Sequence, residues 1–293
     1  MTTETSPIER IASRTAHVGG GISVDRVLPV RQRRRIGPWC FLDHAGPARF
    51  APGHGLLVEA HPHIGLQTFT WLIEGEALHR DSLGNEQVLR PGQVNLMTAG
   101  IGISHTEESL PDQQVLHAAQ LWIALPPDKR DMPPAFDHYP DLPRWTESGV
   151  ESTLLAGTYA ERSAPTRVHS ALVCLDMYCE AGASFRLALD RRFEHGLMVL
   201  EGAATVNGEA FGVNELAYAS AGRAELSLAV AAGTRLLLIG GEPPTDELTI
   251  WWNFVGSKEA IAQAQRDWEA RSPRFGSVKG YEERRIAPPP LPW

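Results

Sequence analysis

Short apolar segments separated by turn residues recur along most of the chain. From residue 66 to residue 100, LQTFTWLIEGEALHRDSLGNEQVLRPGQVNLMTAG carries turn signals at EGE, DSLGN, RPGQ and TAG. This spacing is typical of short antiparallel strands. The same rhythm returns in ALVCLDMYCE, ASFRLALD, HGLMVLEGAATV and AELSLAV. The pattern predicts an all-β sandwich or barrel.

Three segments depart from this rhythm. SKEAIAQAQRDWEA predicts a helix, with Ser257 as its N-cap and with Ile261, Ala264 and Trp268 as one apolar stripe. The Pro-rich stretch 125–143 is predicted to be a linker or an extended arm. The terminal APPPLPW is predicted to be extended and polyproline-like. It either docks on the body through Trp293 or stays free.

The two halves of the chain resemble each other. LIEGEALH at residues 72–79 aligns with VLEGAATV at 199–206, and QVNLMTAG at 93–100 aligns with ELAYASAG at 215–222. Two turn motifs matched in the same order predict a duplicated β module.

Composition argues against several classes of binding partner and of cellular location. The 293 residues are 43% hydrophobic, which supports a well-buried core, and the formal net charge of -8 argues against broad affinity for nucleic acid or anionic membrane. The three cysteines, Cys40, Cys174 and Cys179, form neither a disulfide framework nor a zinc ribbon. The N-terminus lacks the apolar core of a signal peptide, and no apolar run approaches the roughly 18 residues of a membrane span. We therefore expect a cytoplasmic protein with no membrane partner and no direct contact with nucleic acid.

Two pairs of residues suggest a metal site. His61 and His63 stand two apart, so in an extended strand they project to the same side. His105 and Glu107 form a second pair of the same spacing. Three imidazoles and one carboxylate suit iron, manganese, nickel, copper or cobalt. They leave one or two coordination positions of the ion open for substrate or dioxygen. Because Pro62 cannot donate to a central ladder, we expect this strand at a sheet edge or a strand entrance.

The second half does not repeat these residues. Counting from the aligned motifs, His61 and His63 correspond to Ala188 and Asp190, whereas His105 and Glu107 correspond to Ser227 and Ala229. The duplication predicts that the scaffold persists where the ligand set does not.

Other residues whose side chains could carry chemistry have simpler interpretations. The segment HRDS, residues 79–82, is interpreted as a turn. The histidines outside the two ligand pairs, His54, His117 and His138, are interpreted as structural or exposed. Phe69, Trp71 and Met97, near the pairs in sequence, either line a flat pocket or belong to the core.

Three stretches together resemble the signature of the pirin family, a branch of the cupin superfamily. They are GPWCFLDHAGP, HPHIGLQTFTWLIEGEALHRDSLG and RPGQVNLMTAGIGISHTEE, within residues 26–126. The resemblance implies a bicupin, with two β-barrels that face each other. It predicts an N-terminal metal-binding cupin domain at 1–135, a degenerate C-terminal cupin domain at 136–256, and a helix with a Pro-rich tail at 257–293.

The same resemblance implies the ligands His61, His63, His105 and Glu107. Many pirins and cupins carry glutamate where this chain has Gln67. A fifth protein ligand is therefore not expected.

The resemblance also implies two functions. Similar proteins have been described as quercetin 2,3-dioxygenases, and others as iron-containing partners of transcription regulators. The first predicts a flavonol-like aromatic substrate, dioxygen as co-substrate, and Glu107 as both ligand and base. The second predicts a redox sensor that docks on a partner protein. Iron(II) is the expected metal, with nickel, manganese, cobalt, copper and zinc as alternatives, and a metal-free structural cupin is the third hypothesis.

Overall fold

The computed structural model describes residues 7–51 and 54–293. Strand makes up 54% of the structure and helix 7%, with one α-helix near the C-terminus. The all-β fold predicted from the turn spacing is confirmed, as are the two cupin domains that the family resemblance implies. The strands are β1 (Glu9–Ala12), β2 (Arg14–Val18), β3 (Ile22–Leu28), β4 (Trp39–Arg49), β5 (Leu57–His63), β6 (Leu66–Gly75), β7 (Ala77–Asp81), β8 (Glu86–Leu89), β9 (Val94–Thr98), β10 (Ile103–Ser109), β11 (Val115–Ala124), β12 (Ala135–Tyr139), β13 (Arg144–Glu147), β14 (Val150–Tyr159), β15 (Arg162–Ser163), β16 (Leu172–Cys179), β17 (Ala183–Ala188), β18 (Glu194–Glu201), β19 (Ala203–Val206), β20 (Glu209–Gly212), β21 (Glu215–Ala219), β22 (Glu225–Val230), β23 (Thr234–Gly241), β24 (Thr249–Trp251) and β25 (Phe254–Gly256). The helix α1 spans Lys258–Glu269, and 3-10 turns occupy Gly19–Gly21, Pro127–Lys129 and Pro273–Phe275.

The chain divides into two compact units, each built from separate stretches of sequence. Among the described residues, unit 1 contains 7–15, 25–44 and 141–245, and unit 2 contains 16–24, 45–51, 54–140 and 246–293. The division into 1–135, 136–256 and 257–293 stays a prediction.

The order of the strands repeats, which supports the predicted duplication. One sheet has the order β12-β9-β6-β11-β4-β3-β2, and another has β1-β21-β18-β23-β16-β14-β13, with β15 beside β14. The two four-stranded sheets, β5-β10-β7-β8 and β17-β22-β19-β20, repeat in the same way. The first strand of each long sheet comes from outside the repeated module. β1, at the start of the described chain, pairs with β21 of the second module, and β12, from the Pro-rich stretch, pairs with β9 of the first.

Unit 1 has an apolar interior. Leu154, Val199, Leu226 and Leu238 are among the fully buried side chains of its core. An antiparallel sheet with one face against such a core is stabilised mainly by removal of that face from water.

In unit 2, α1 packs against the β framework as predicted. The Ser257 hydroxyl accepts a hydrogen bond from the Ala260 amide at 3.2 Å, which confirms the N-cap. The stripe of Ile261, Ala264 and Trp268 is buried in one cluster with residues of β5, β25 and the C-terminal segment, namely Ala60, Phe254, Phe275, Val278 and Tyr281. In the described part of the chain, every helix falls short of the length and apolar character that a membrane crossing requires.

The Pro-rich stretch 125–143 is more than a linker. Its central part forms β12, which pairs antiparallel with β9 from Ala135 opposite Thr98 to Tyr139 opposite Val94. The prediction of an extended arm is therefore confirmed for these five residues. The sequence pattern does not show this pairing, because β9 is distant from β12 along the chain.

The C-terminal segment docks on an edge strand. β5 ends its sheet in the strand order, which confirms the edge position expected from Pro62. Ala60 donates to the Arg284 carbonyl at 3.2 Å and accepts from the Ile286 amide at 2.9 Å. The Trp268 indole donates to the Ile286 carbonyl at 2.9 Å. The segment thus covers part of an edge that would otherwise expose unpaired backbone groups.

The buried His195 of unit 1 should make stability depend on pH. Burial lowers the pKa of His195 to about 4, and Asp190 offsets only part of that effect. As the pH falls from about 6.5 to about 4, the unfolded chain binds a proton that the folded chain does not, so stability is lost in that window. His195→Gln should reduce the loss between about pH 7 and pH 4.5 by roughly 2.5 kcal/mol. Urea unfolding of metal-free protein at both pH values measures it, and equal losses in both proteins would contradict it.

Candidate metal centre

Three buried histidines of unit 2 meet at one place on the paired strands β5 and β10. His61 and His63 lie on β5, and His105 lies on β10 directly opposite His61. One ring nitrogen from each of the three lies within 4.8 Å of the others, and all three residues are buried. In the described ranges they form the one group of three or more histidine, cysteine or acidic residues with this geometry.

The distance between two of the ring nitrogens fits a shared ion. Nε2 of His63 lies 3.1 Å from Nε2 of His105. Imidazole nitrogens bind divalent metals at about 2.1 Å, so two of them at right angles on one ion lie about 3 Å apart. The ring centroid of His61 lies 4.4 Å from that of His105 and 5.0 Å from that of His63. The three rings therefore surround one point.

A β-bulge helps to orient His61. Opposite the two steps from His105 to Glu107 on β10, β5 takes three steps from His61 to Val58, so β5 carries one extra residue. Inside this bulge, Nδ1 of His61 donates to the carbonyl of Glu59 at 2.9 Å. Because Nδ1 carries the proton, Nε2 keeps its lone pair for a ligand.

A tight turn sets the start of β10. Gly100 has φ of 50°, and a Cβ at this position would lie 1.9 Å from the carbonyl oxygen of Met132. Only glycine fits this approach. The turn leads the chain into β10 and so fixes where His105 and Glu107 fall in the register.

The electrostatic environment keeps the three imidazoles neutral. Burial lowers the pKa of His61 to about 4. Burial, followed by repulsion from His61, lowers the pKa of His63 and of His105 well below the ordinary value. Neutral imidazole is the form that binds metal, so the site holds its ligands ready at neutral pH.

Glu107 lies on the same strand two residues beyond His105. It is partly accessible, and its side chain has neither a hydrogen bond nor an ion pair with any described residue. Burial of the carboxyl raises the pKa of Glu107 to about 7. Its neighbour Glu108 differs, because it forms an ion pair with Arg80 at 2.6 Å. The carboxylate of Glu107 is therefore available to an ion or a substrate.

These donors fit a transition metal ion. Three neutral imidazoles and one carboxylate match the nitrogen and oxygen ligands that iron, manganese, cobalt, nickel and copper accept. The described residues place no cysteine in the cluster, whereas closed structural zinc sites commonly use thiolates. The site would hold an ion through His61, His63 and His105. The carboxylate of Glu107 is not among the ligand atoms that lie within 4.8 Å of one another, and it stays a predicted fourth ligand.

The sequence matches the family Pirin over residues 21–123 and the Pirin C-terminal cupin domain over residues 174–276. A Caulobacter vibrioides protein named "Pirin-like protein" is 37% identical over 260 residues, covering 86% of this chain and 89% of that one. The chain belongs to the pirin family.

Two further relatives carry the name of an enzyme. A Pseudomonas aeruginosa protein named "Putative quercetin 2,3-dioxygenase" is 60% identical to this pirin over 287 residues, covering 98% of this chain and 91% of that one. The crystal structure of an Acinetobacter baumannii protein titled quercetin 2,3-dioxygenase superposes with a TM-score of 0.95 at 48% identity, covering 97% of this chain and 96% of that one.

In this pirin, the interpretation of HRDS as a turn is wrong for its first three residues. His79, Arg80 and Asp81 belong to β7, which pairs with β10, and the turn follows Asp81. His79 Nδ1 lies 3.3 Å from Nδ1 of His105, so His79 is a neighbour of the metal cluster that sequence reasoning missed. Its two-residue spacing from Asp81 was the available signal, and it is the same spacing as in the two ligand pairs.

The remaining candidates of this pirin stay outside the cluster. His54 is exposed, His117 is buried in β11, and Nδ1 of His138 contacts Oδ1 of Asn95 at 2.7 Å. Phe69, Trp71 and Met97 are buried in the strands beside the site. Trp122, which sequence reasoning did not single out, meets the His63 ring edge to face with centroids 5.2 Å apart.

We expect this pirin to bind one divalent transition metal ion per chain, and His63→Ala to abolish that binding because it removes one of three converging nitrogens. A ligand present at 100 times its dissociation constant stabilises the folded state by about 2.7 kcal/mol. Elemental analysis measures the metal content per chain, and thermal unfolding with and without the ion measures the stabilisation. His138→Ala is the matched control, since it removes a histidine of unit 2 outside the cluster and should keep full stoichiometry. Equal metal content in the two variants would contradict the assignment.

Proposed function

We propose that this pirin binds a divalent transition metal through His61, His63, His105 and Glu107 and cleaves the central ring of a flavonol with dioxygen. The observation that carries the proposal is the convergence of three neutral imidazoles on one point. Glu107, whose carboxylate no described residue engages, lies two residues beyond His105 on the same strand. A structural site would need no such available carboxylate.

The names of the relatives support the choice of substrate class. One protein with 60% identity and one solved structure with 48% identity are both named for quercetin 2,3-dioxygenation. A flavonol is a flat phenolic molecule with an acidic hydroxyl beside a carbonyl. Such a substrate needs a base at its hydroxyl and a site that takes up its anion.

Glu107 is the residue proposed to act as that base. Its carboxylate oxygen would accept the proton of the flavonol hydroxyl, leaving the electron-rich flavonolate. A general base works best when its pKa lies near the working pH, because it is then ionised and still holds a proton well. Burial raises the pKa of Glu107 into that range. When bound, the metal ion supplies Lewis acidity toward the phenol and electron transfer to dioxygen. The overall reaction takes up one dioxygen and releases carbon monoxide with the ring-opened product.

The histidines have a different role in this proposal. His61, His63 and His105 hold and tune the ion, and the buried Trp122 packs against the ring of His63. Iron(II) is the proposed ion, because three imidazoles and a carboxylate suit a borderline metal. Nickel, manganese, cobalt, copper and zinc are the alternatives. A cytoplasmic location remains part of the proposal. The three cysteines are buried and form no disulfide with any described residue.

The reaction can be followed directly in metal-loaded protein. Under air, the flavonol absorption band of quercetin should disappear with release of carbon monoxide, and His61→Ala should abolish the loss. Glu107→Gln keeps the size of the side chain but removes the base, so kcat should fall by about 10²- to 10⁴-fold. Glu108→Gln is the matched control, because Glu108 pairs with Arg80 and should leave kcat unchanged.

The outcome also separates the second hypothesis from the first. If the quercetin band survives with iron, nickel, manganese, cobalt and copper each bound at full stoichiometry, ring cleavage is wrong. A metal-dependent sensor that docks on another protein then becomes the function to test. Protein with no stoichiometric metal would contradict both.

A further inference from the structure

A chain of side-chain contacts leads away from the metal cluster along β7. His105 on β10 lies directly opposite Asp81, and Glu107 lies opposite His79. Nδ1 of His105 is 3.3 Å from Nδ1 of His79, and Nε2 of His79 is 3.1 Å from Oδ2 of Asp81. His79 and Asp81 are both buried. The contacts therefore run in sequence from a buried carboxylate to a predicted ligand.

The aromatic neighbour of His79 holds its ring in place. The rings of His79 and Phe136 stack with centroids 4.3 Å apart and an angle of 11°. Phe136 belongs to β12, which the pairing with β9 fixes in position. The plane of His79 is thus set by packing, and its two nitrogens point along the line between Asp81 and His105.

The positions of the protons follow from the chemistry of these groups. An ionised carboxylate only accepts hydrogen bonds, so Nε2 of His79 must donate to Asp81. A neutral imidazole with a proton on Nε2 has an acceptor at Nδ1. Nδ1 of His105 must then donate to His79. This leaves the lone pair of His105 on Nε2, which is the nitrogen 3.1 Å from Nε2 of His63.

We propose that Asp81 and His79 are positioning residues that fix the Nδ1–H tautomer of His105 and so aim its Nε2 lone pair at the metal. The inference rests on the proposed metal site and is independent of the flavonol chemistry. Hydrogen-bond partners behind a metal-binding histidine fix its ring and its tautomer. Here the partner is a second histidine, and the carboxylate acts through it.

The internal duplication gives separate support. With the same alignment that relates His61 to Ala188, His79 corresponds to Val206 and Asp81 to Gly208. Val206 belongs to the apolar core of unit 1. The second module therefore lacks this pair together with the metal ligands, although its strand order is the same. The pair belongs to the metal site and not to the framework.

The surroundings of Asp81 make one substitution informative. Oδ1 of Asp81 accepts from the backbone amides of Leu83 at 2.9 Å and Asn85 at 3.0 Å. In Asp81→Asn the amide oxygen must stay at this position, so the amide nitrogen faces His79. The side chain of Asn85, which contacts both oxygens of Asp81, can rotate to present its own oxygen. The new donor then places the His79 proton on Nδ1 and moves the His105 proton to Nε2.

A second substitution tests the same chain without Asp81. In His79→Asn the amide oxygen falls near the former Nδ1 and can accept from Nδ1 of His105. The amide can present this oxygen whatever residue stands at 81. His79→Asn should therefore restore binding to the Asp81→Asn variant, whereas a purely structural role would make the double variant worse than either single one.

The experiment combines two readouts. Nitrogen-15 spectra of the histidines in metal-free protein report the tautomer of His105, which should carry its proton on Nδ1 in the wild type and on Nε2 in Asp81→Asn. Competition with a chromophoric chelator, with Co²⁺ as the probe, should show 10- to 100-fold weaker binding in Asp81→Asn. The double variant with His79→Asn should bind more tightly than Asp81→Asn alone. Asp267→Asn removes a carboxylate that pairs with Arg274 at 2.9 Å in unit 2, and it should match the wild type in both readouts.

The results distinguish a failure of the positioning role of Asp81 and His79 from a failure of the metal site. Wild-type affinity and an unchanged His105 tautomer in Asp81→Asn would overturn the inference while leaving the metal site intact. A double variant weaker than Asp81→Asn would overturn it as well. If the wild type binds no Co²⁺, the metal site itself fails, and the inference fails with it.

Discussion

Three buried imidazoles must remain neutral and must turn their lone pairs toward one point, and much of unit 2 serves that requirement. Burial is the main cause that keeps the rings of His61, His63 and His105 unprotonated, and repulsion from His61 adds to it at His63 and His105. Burial does not decide which nitrogen carries the remaining proton. The bulge carbonyl of Glu59 decides it for His61, and the His79 ring contacts the corresponding nitrogen of His105. Desolvation thus keeps the rings neutral, while a backbone carbonyl and a neighbouring side chain contact the nitrogen that faces away from the cluster.

The same requirement explains why β5 has backbone hydrogen bonds on both of its sides. A strand at a sheet edge offers unpaired backbone groups and is free to shift or fray. β5 carries two of the predicted ligands, so its movement would separate the rings. On one side it pairs with β10, and on the other the backbone near Arg284 and Ile286 bonds to Ala60, the residue before His61. The C-terminal segment therefore holds the first ligand pair in place although it lies more than 200 residues later in the sequence.

Local signals in the sequence predict the parts of the structure that depend on local geometry. The two-residue spacing of the histidines, the N-cap at Ser257 and the edge position implied by Pro62 all follow from rules that act within a few residues. The missed features are nonlocal. β12 forms only because β9 lies beside it, and His79 joins the cluster only because β7 pairs with β10 in that register. A short HRD segment looks like a turn until its partner strand is known, because spacing alone does not reveal which face of which sheet it joins.

The duplicated framework shows that the fold has no need of the histidines. Unit 1 builds the same strand order around an apolar core in which Leu226 and Leu228 occupy the strand equivalent to β10. A buried polar group without full hydrogen bonding costs roughly 1 to 3 kcal/mol, so apolar side chains would stabilise the fold more than histidines do. Unit 2 nevertheless keeps three imidazoles, His79 and Asp81 in its interior. A metal ion at the cluster would engage one nitrogen of each of His61, His63 and His105 and so offset this cost.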